Sequence, residues 1–407
     1  KNPAVRDYIC DVIRFWVSEF DIDGIRLDAA DVLDFDYMKA LRGVANEVKP
    51  DFWLMGEVIH GDYNRWVNEG TLHSVTNYQL HKALYSGHND HNYFEIAHTV
   101  KRLYGMGGIK LYNFVDNHDV ERIYTKLNNK AHFTPVHILM YTLPGVPSIY
   151  YGSEFGIEGK KEAYSDDSLR PALNLDDYKD AVKTNPCTGL IAALGKIRQE
   201  NPALSYGDFN ELILTNRQYA FSRNYNGVSV VVAVNNDDNG VDLELAAGNA
   251  GQYIGLLSGN KADVTNGSIH VNLKGNSGDI FVPVTADVKM EPVKLEVTDK
   301  KKEPAVMEET IQNPEPKDIA FREEISAAES KEPDPVENIT DQLVRKDTYM
   351  DCHETQGKAY EDMTIVELQE AILYKMSKNG PITDQMYKTV EENVYPDSLI
   401  NWVKSFS

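Results

Sequence analysis

The chain has 407 residues, a formal net charge of -22 at pH 7 and 42% hydrophobic residues. This length predicts two or three domains with enough apolar side chains for sizeable cores. The excess of acidic residues argues against a nucleic-acid partner, because phosphate binding requires clustered Lys and Arg. No apolar run approaches the roughly 20 residues of a membrane-spanning helix, so the sequence predicts no membrane segment.

The first 204 residues alternate short apolar strands with helices. Helical patterns begin at Asn2, an N-cap residue before Pro3, and recur at about residues 35–48, 93–103 and 135–141, with another helix-like stretch between residues 58 and 72. The strands lie near residues 23–28, 52–58, 72–78, 111–119 and 146–152. This alternation indicates parallel βα units and an α/β fold class. Five strands with polar C-terminal ends predict the C-terminal part of a (β/α)8 TIM barrel, strands 4 to 8, without the first three strands.

The character of the sequence changes after this region. Residues 205–284 contain alternating or apolar runs separated by turn signals, which predict an antiparallel β-sandwich domain. Residues 285–345 are rich in Glu, Lys and Pro and predict a disordered acidic linker. Residues 346–407 have helical apolar spacing with a break at Gly380 and Pro381. This helical tail module either docks a protein partner or packs on itself as a plain hairpin, and the spacing favours the hairpin.

Cysteine usage predicts neither a disulfide framework nor a metal site. Cys10, Cys187 and Cys352 are few and widely spaced, which is typical of free thiols. No signal peptide is visible, although the chain begins at Lys1 within a helical pattern and its native start is expected upstream. On this basis we predict a cytoplasmic location.

A carboxylate follows each of three predicted strands. Asp28 ends the first, two residues after Arg26, and period-two geometry puts both side chains on one face. A guanidinium there would hold Asp28 ionised, as a nucleophile requires. Glu57 follows an apolar run, a setting that keeps a carboxyl group protonated and suits a general acid. Asp119 ends a later strand beside His118, where it could stabilise positive charge.

Each of these residues alone also has an ordinary structural interpretation. An Asp after a strand is commonly a helix cap, Glu57 alone resembles a loop charge, and a His-Asp pair is often a local hydrogen bond. Asp116 lies three residues before Asp119 and is expected to point elsewhere along the strand. The combination of three carboxylates, each after a strand, favours a functional site.

Residues 23–28 (DGIRLD), 56–58 (GEV) and 114–119 (FVDNHD) resemble the second, third and fourth signature regions of the alpha-amylase family of glycoside hydrolases. Residues 145–156 are similar to the eighth-strand segment of that family, and the likeness extends over about residues 1–284. It implies a retaining hydrolase of α-1,4-glucosidic bonds in maltooligosaccharides, starch or related α-glucans. Retention requires two carboxyl groups about 5–5.5 Å apart and proceeds through a covalent glycosyl-enzyme.

The resemblance also implies the roles of individual residues. Asp28 would be the nucleophile, Glu57 the acid/base, and Asp119 the group that stabilises the distorted sugar and its oxocarbenium-like transition state. Arg26 would orient Asp28, and His118 would contact hydroxyl groups of the reacting sugar.

Five further residues are candidate substrate contacts. Asp166 and Arg170 fit a family pair that binds the neighbouring glucose, the alternative being an exposed ion pair. His60, Tyr63 and Trp66 follow the acid/base and would offer stacking faces to sugars on the leaving side, or else pack within a βα loop.

The chain departs from the family pattern in two places. The first signature, which normally supplies a substrate-binding His and part of a calcium site, has no counterpart. Residues 29–32 (AADV) stand where many starch-degrading members have a Lys-His pair. The resemblance therefore implies no cofactor for the chemistry, leaves a structural Ca²⁺ open and assigns no metal ligands. Two alternatives stay open, a transglycosylase of the same family and a catalytically incomplete fragment that binds carbohydrate.

Overall fold

The computed structural model describes residues 2–284, 360, 365–378, 386, 390 and 396–404. The chain divides into two compact units, Lys1–Ala305 and Val306–Ser407. The predicted linker at residues 285–345 lies outside the described residues, as does Cys352. No helix in the described part is long and apolar enough to cross a membrane.

The first region of the larger unit alternates helices with short parallel strands. Its elements are α1 (Pro3–Phe20), β1 (Gly24–Leu27), α2 (Phe35–Val48), β2 (Trp53–Gly56), β3 (Ser74–Val75), α3 (Tyr78–Asn89), α4 (Tyr93–Gly105), β4 (Tyr112–Asn113), α5 (Ile123–Lys126), α6 (Phe133–Thr142), β5 (Val146–Pro147), α7 (Ala181–Thr184), α8 (Pro186–Glu200) and α9 (Pro202–Tyr206). Strands β1, β2 and β3 pair in parallel, as do β4 and β5. A parallel bridge between Thr76 and Tyr112 joins the two groups. The strands therefore follow one another in chain order, as in a barrel wall, and the α/β prediction is confirmed.

Capping residues explain where the first helices begin. The Asn2 side chain accepts a hydrogen bond from the amide of Ala4 at 3.0 Å, and Pro3 occupies the first helical position of α1. Asp34 accepts from the amide of Tyr37 at the start of α2. These side chains satisfy amide groups that the first turn of a helix leaves without backbone partners.

The stretch between residues 58 and 72 differs from the sequence prediction. It contains one short 3-10 turn, Tyr63–Arg65, instead of a helix. The side chains of Asp62 and Asn68 accept hydrogen bonds from amides two residues further on, so local turns satisfy the backbone. Conversely, the structure has a helix, α3, where the sequence pattern predicts none. Asn77 caps it by accepting a hydrogen bond from the amide of Leu80.

The second region of the larger unit is an antiparallel sheet of eight strands. Its strands are β6 (Asp208–Leu214), β7 (Gln218–Tyr225), β8 (Val228–Asn235), β9 (Val241–Ala246), β10 (Gln252–Gly255), β11 (Lys261–Thr265), β12 (Ser268–Leu273) and β13 (Ser277–Pro283). The order across the sheet is β6-β7-β8-β13-β10-β11-β12-β9, and the two edge strands approach each other. The predicted antiparallel β domain is therefore present as a nearly closed sheet.

Both faces of strand β8 are buried, which explains its continuous apolar sequence. Val230, Val232 and Val234 join the core shared with the helices of the first region. Val231 and Ala233 point the other way, into the interior of the β domain. Because successive side chains of a strand alternate between faces, only an uninterrupted apolar run can serve both cores.

The smaller unit contains two described helices, α10 (Ile365–Lys378) and α11 (Pro396–Lys404). They contact each other through a small apolar core that includes Leu368, Ile372, Leu399 and Val403. The two helices therefore pack on each other, whereas the plain hairpin and docking of a protein partner by this tail both stay predictions.

Four histidines of the larger unit, His81, His88, His132 and His137, are buried, and burial favours their neutral rings. His88 Nδ1 lies 2.6 Å from the Leu84 carbonyl oxygen, and its Nε2 accepts from the Tyr93 hydroxyl at 3.1 Å. Burial lowers the pKa of His88 to about 3 and that of His137 to about 4. The stability that depends on neutral rings is present above the ordinary histidine pKa of about 6.5 and is lost as the pH falls through it.

Replacement of His88 tests this pH dependence. Each buried histidine should lower the free energy of unfolding by about 1.4 kcal/mol per pH unit as the solution is acidified from about pH 6 to about pH 4. His88→Gln removes one such group, so its plot of unfolding free energy against pH should be shallower by about that amount. Urea denaturation at several pH values measures the slope. His270→Gln, at an exposed position of β12 with a side chain 73% exposed, is the matched control. An unchanged slope in His88→Gln would contradict the prediction.

Candidate active site

The parallel pairing of β1 and β2 brings two carboxylates to the same end of the sheet. The register aligns residues 24–27 with residues 53–56, so Asp28 and Glu57 both follow directly after paired strands. The amide of Glu57 also donates to the Leu27 carbonyl oxygen at 2.8 Å, which extends the ladder to the site. Because carboxyl ends of parallel strands meet at one edge, the two side chains share one face of the region.

Arg26 contacts both of these carboxylates. Its Nη1 donates to Asp28 Oδ1 at 3.0 Å, and its Nη2 lies 2.9 Å from Glu57 Oε2. The two acids differ in access to solvent, since the Asp28 side chain is 81% exposed and that of Glu57 only 12%. The guanidinium of Arg26 therefore holds the exposed Asp28 carboxylate and the largely buried Glu57 carboxylate next to each other, because its planar group can donate in two directions.

Two side chains missed in the sequence complete the surroundings of Glu57. Glu57 Oε2 accepts a second hydrogen bond from the amide of Ala29 at 3.2 Å, whereas Oε1 accepts from the Tyr78 hydroxyl at 3.3 Å. Tyr78 in turn accepts from Asn117 Nδ2 at 3.0 Å. Burial raises the pKa of Tyr78 to about 12, so the hydroxyl keeps its proton and can donate. The signal available in the sequence was position alone, since Tyr78 and Asn117 follow strands β3 and β4.

Gly56 allows β2 to end close to its neighbours, immediately before Glu57. A Cβ atom at this position would lie 2.5 Å from Leu72 Cδ1 and 2.7 Å from Ala30 Cβ. Both neighbours are fully buried, so neither could move aside without disturbing the core. The absence of a side chain at residue 56 thus fixes how closely the acid-bearing strand approaches the turn after β1.

The turn after Asp28 carries backbone strain. Ala29 has a φ of 43°, in the left-handed region that alanine seldom adopts, and its side chain is exposed. Strained residues of this kind persist where the surroundings hold them, here through the hydrogen bond from the Ala29 amide to Glu57. The left-handed conformation of Ala29 thus directs its amide toward the Glu57 carboxylate.

Ala29→Gly should relieve this strain. Glycine adopts the left-handed region without a steric penalty, so we expect the free energy of unfolding to rise by about 0.5–1 kcal/mol. Ala40→Gly, in the middle of α2, is the control for glycine entropy and should lower it by about 1 kcal/mol. Urea denaturation followed by circular dichroism compares the two, and a loss of stability in Ala29→Gly would rule out the interpretation.

A second charged cluster lies after β4. Asp119 Oδ2 lies 3.1 Å from His118 Nε2, and its Oδ1 accepts from Arg170 Nη2 at 3.1 Å. The same Arg170 nitrogen lies 3.1 Å from Asp166, which also contacts Lys161 at 3.2 Å. The structure therefore brings the four residues predicted on this side of the site together around one carboxylate.

Asn117 connects the two clusters. Its Oδ1 accepts from the amides of Asp119 and Val120 at 2.8 and 3.1 Å, while its Nδ2 donates to Tyr78. The position of the Asp119 backbone is thus coupled through Tyr78 to Glu57. Such chains of hydrogen bonds hold acidic groups in a defined relative geometry.

Asp116 points away from the site, as expected, into a buried polar network. It accepts from the amide of Ile123 at 2.7 Å and from the Ser153 hydroxyl at 2.8 Å, and burial raises its pKa to about 6. Ser153 also accepts from Arg122, whose guanidinium carbon lies 4.2 Å from the ring centre of Tyr150. This network fixes the segments that carry His118 and Tyr150 beneath the site.

Two predicted sugar-stacking residues do not fit that role. Tyr63 and Trp66 are buried, whereas His60 is exposed. Tyr63 donates to the Ile59 carbonyl oxygen, and the Trp66 ring packs near Phe35. The loop folds both aromatic side chains inward because their large apolar surfaces gain more from burial than from exposure. Tyr63 and Trp66 therefore pack within the loop, and the prediction that they stack on sugars is wrong.

The structure offers no metal site among the residues it describes. No group of three or more His, Cys, Asp and Glu side chains in that part of the chain could hold an ion. Cys10 and Cys187 are free thiols, the first buried and the second partly buried. A structural Ca²⁺ stays a prediction.

Comparison with known proteins identifies a family for the first region. Residues 1–185 match the family model described as alpha amylase, catalytic domain. The chain is 31% identical over 243 residues to a cyclomaltodextrinase of Thermoanaerobacter pseudethanolicus, an alignment that covers 58% of this chain and 41% of the relative. It is 30% identical over 232 residues to the intracellular maltogenic amylase of Bacillus subtilis, with 54% and 38% covered.

Solved structures extend the likeness to the β domain. An alpha-amylase from Anoxybacillus superimposes with a TM-score of 0.61 at 26% identity, covering 70% of this chain and 64% of that structure. The alignments with the two curated relatives span less than half of the relatives' length. The shared part contains the strands that carry all three predicted catalytic carboxylates.

Proposed function

Residues 1–185 of this chain belong to the alpha-amylase family of glycoside hydrolases, and from this premise we propose that the chain hydrolyses α-1,4-glucosidic bonds in maltooligosaccharides, starch or related α-glucans. The observation that carries the proposal is the contact of one guanidinium with two carboxylates, Asp28 and Glu57. A retaining mechanism requires such a pair, with one acid free to attack and the other able to donate a proton.

In the first step, an oxygen of the Asp28 carboxylate attacks the anomeric carbon. The glycosidic C–O bond breaks, and Glu57 gives its proton to the departing oxygen, which leaves a covalent glycosyl-enzyme and an ionised Glu57. Glu57 Oε2 already accepts hydrogen bonds from Arg26 and the Ala29 amide. The transferred proton therefore belongs on Oε1, which faces the Tyr78 hydroxyl.

In the second step, Glu57 removes a proton from water while the water oxygen attacks the same anomeric carbon. The bond to Asp28 breaks, the carboxylate is released and Glu57 regains its proton. In both steps positive charge develops on the sugar, and Asp119 stabilises it from the opposite cluster. Arg170 and His118 hold Asp119 in place by contacts with both of its oxygens and are available to sugar hydroxyls.

Hydrolysis and transfer to another sugar share the glycosyl-enzyme and differ only in whether water or a sugar hydroxyl attacks it. Analysis of products from maltoheptaose distinguishes the two reactions, because transfer produces oligosaccharides longer than the substrate.

Replacement of the two acids tests the proposal directly. Glu57→Gln removes the transferable proton and should lower maltoheptaose turnover by roughly 10²–10⁴-fold, and Asp28→Asn removes the nucleophile and should lower it by several orders of magnitude. Release of glucose and maltose by the purified chain is measured, with circular dichroism as the folding control. Unchanged turnover in either variant would contradict the assigned roles of Asp28 and Glu57. Binding of maltoheptaose without hydrolysis by the folded parent chain would support the carbohydrate-binding alternative.

Tyr78→Phe tests the role of the Oε1 contact. The variant loses the hydrogen bond that the Tyr78 hydroxyl donates to Glu57 Oε1, so the carboxyl group is less well oriented and turnover of maltoheptaose should fall by roughly tenfold. Tyr85→Phe, on the same helix, serves as the matched control. Equal turnover by Tyr78→Phe and the parent chain would contradict the role of this contact.

Two further observations support the proposed ligand and a cytoplasmic location. A neutral α-glucan suits a chain with a net charge of -22, since no charge on the ligand opposes binding. The similarity to an enzyme named as intracellular supports a cytoplasmic location.

A further inference from the structure

A cavity among the described residues lies away from the carboxylates. It has a volume of about 460 Å³, within the range of roughly 300–1,000 Å³ for small-molecule sites. Lys110 and Leu111 line it and lead into β4, and Pro144 and Gly145 line it and lead into β5. The catalytic carboxylates follow the strands, whereas the cavity adjoins their beginnings. It is therefore a separate site at the seam between the barrel region and the β domain.

Exposed tyrosines surround the mouth of this cavity. Tyr104 and Tyr206 line the cavity, and Tyr206 is 64% exposed. The ring centre of Tyr225 lies 5.8 Å from that of Tyr206, with 40° between the ring planes. The two rings form an aromatic platform that continues from the cavity onto the surface. Large aromatic side chains held in the open, beside a cavity, are a feature of binding surfaces.

The polar groups beside the platform favour a neutral ligand. Lys110 places its Nζ 4.6 Å from the ring centre of Tyr206, and Asp208 supplies a carboxylate to the same cavity. Opposite charges on one rim favour neither a polyanion nor a polycation. Arg223 also lines the cavity, but its guanidinium donates to the carbonyl oxygens of Thr142 and Gly207 and is occupied. Hydroxyl groups can both donate to Asp208 and accept from Lys110.

We propose that this tyrosine platform and cavity form a second, non-catalytic binding site for an α-1,4-linked glucan. The inference rests on the proposed function, because it takes the glucan as the available polymer. A sugar ring presents apolar C–H groups on its faces and hydroxyl groups at its edge, which match aromatic rings flanked by Lys110 and Asp208.

Binding to a non-hydrolysing chain tests the proposal. In a Glu57→Gln background, Tyr206→Ala should weaken one class of maltoheptaose binding by about fivefold to tenfold, as expected for loss of one aromatic contact. Tyr8→Ala is the matched control, since Tyr8 is 68% exposed on α1, and it should leave binding unchanged. Calorimetric titration with maltoheptaose and with cellohexaose measures both. Equal affinities in the Tyr206→Ala chain and its parent, or equal binding of cellohexaose, would overturn the proposal.

Chemical protection locates the site without any substitution in the platform. Maltoheptaose bound over Tyr206 would cover the amino group of Lys110, so acetylation of Lys110 should slow by severalfold in its presence. Lys39, exposed on α2, is the internal reference and should react at the same rate with and without the sugar. Mass spectrometry of the acetylated chain compares the two positions. Unchanged acetylation of Lys110 at a saturating sugar concentration would refute the site.

The two functions fail in distinguishable ways. Hydrolysis of maltotriose reports the catalytic site, and Tyr206→Ala in the otherwise unaltered chain should leave it unchanged. Absent hydrolysis together with Tyr206-dependent binding would refute the proposed activity and support the glucan site. Hydrolysis together with binding that does not depend on Tyr206 would support the proposed activity and refute the second glucan site.

Discussion

The guanidinium of Arg26 lies between two carboxylates that come from neighbouring strands, and the rest of the site is arranged around it. Its position depends on the parallel register of β1 and β2, because a shift by one residue would turn Arg26 to the opposite face. With this register, Arg26 contacts both Asp28 and Glu57, and Glu57 also accepts a hydrogen bond from the amide of the strained turn at Ala29. Two identical chemical groups thus acquire different surroundings, which is what acid/base and nucleophilic roles require.

Buried polar groups support the cluster around Asp119. Asp116, Ser153 and Arg122 satisfy one another between the segments after β4 and β5. An unpaired charge at this depth would be costly, so the network constrains both segments together. Tyr78 and Asn117 then connect these segments to Glu57. The three carboxylates consequently belong to one hydrogen-bonded framework although they are distant in sequence.

The seam between the barrel region and the β domain has its own consequences. Strand β8 contributes to two cores at once, which joins the β domain to the helices through continuous apolar packing. Near the beginnings of β4 and β5 this packing is interrupted by a cavity, and exposed tyrosines stand at its mouth. A rigid seam is a suitable support for a binding site, since its side chains lose little freedom when a ligand binds.

The sequence by itself determined the succession of parallel βα units, the β domain and the three carboxylates after strands, because these depend on local periodicity and on residues adjacent in the chain. The tertiary structure decided which neighbours surround them. Tyr78 and Asn117 meet Glu57 only when separate strands align, and no spacing reveals such a contact. Likewise Tyr63 and Trp66 carry the composition of a sugar platform but are buried, whereas Tyr206 is left exposed. Burial is a property of the packed chain, and the pattern of residues along it indicates only which side chains could serve either role.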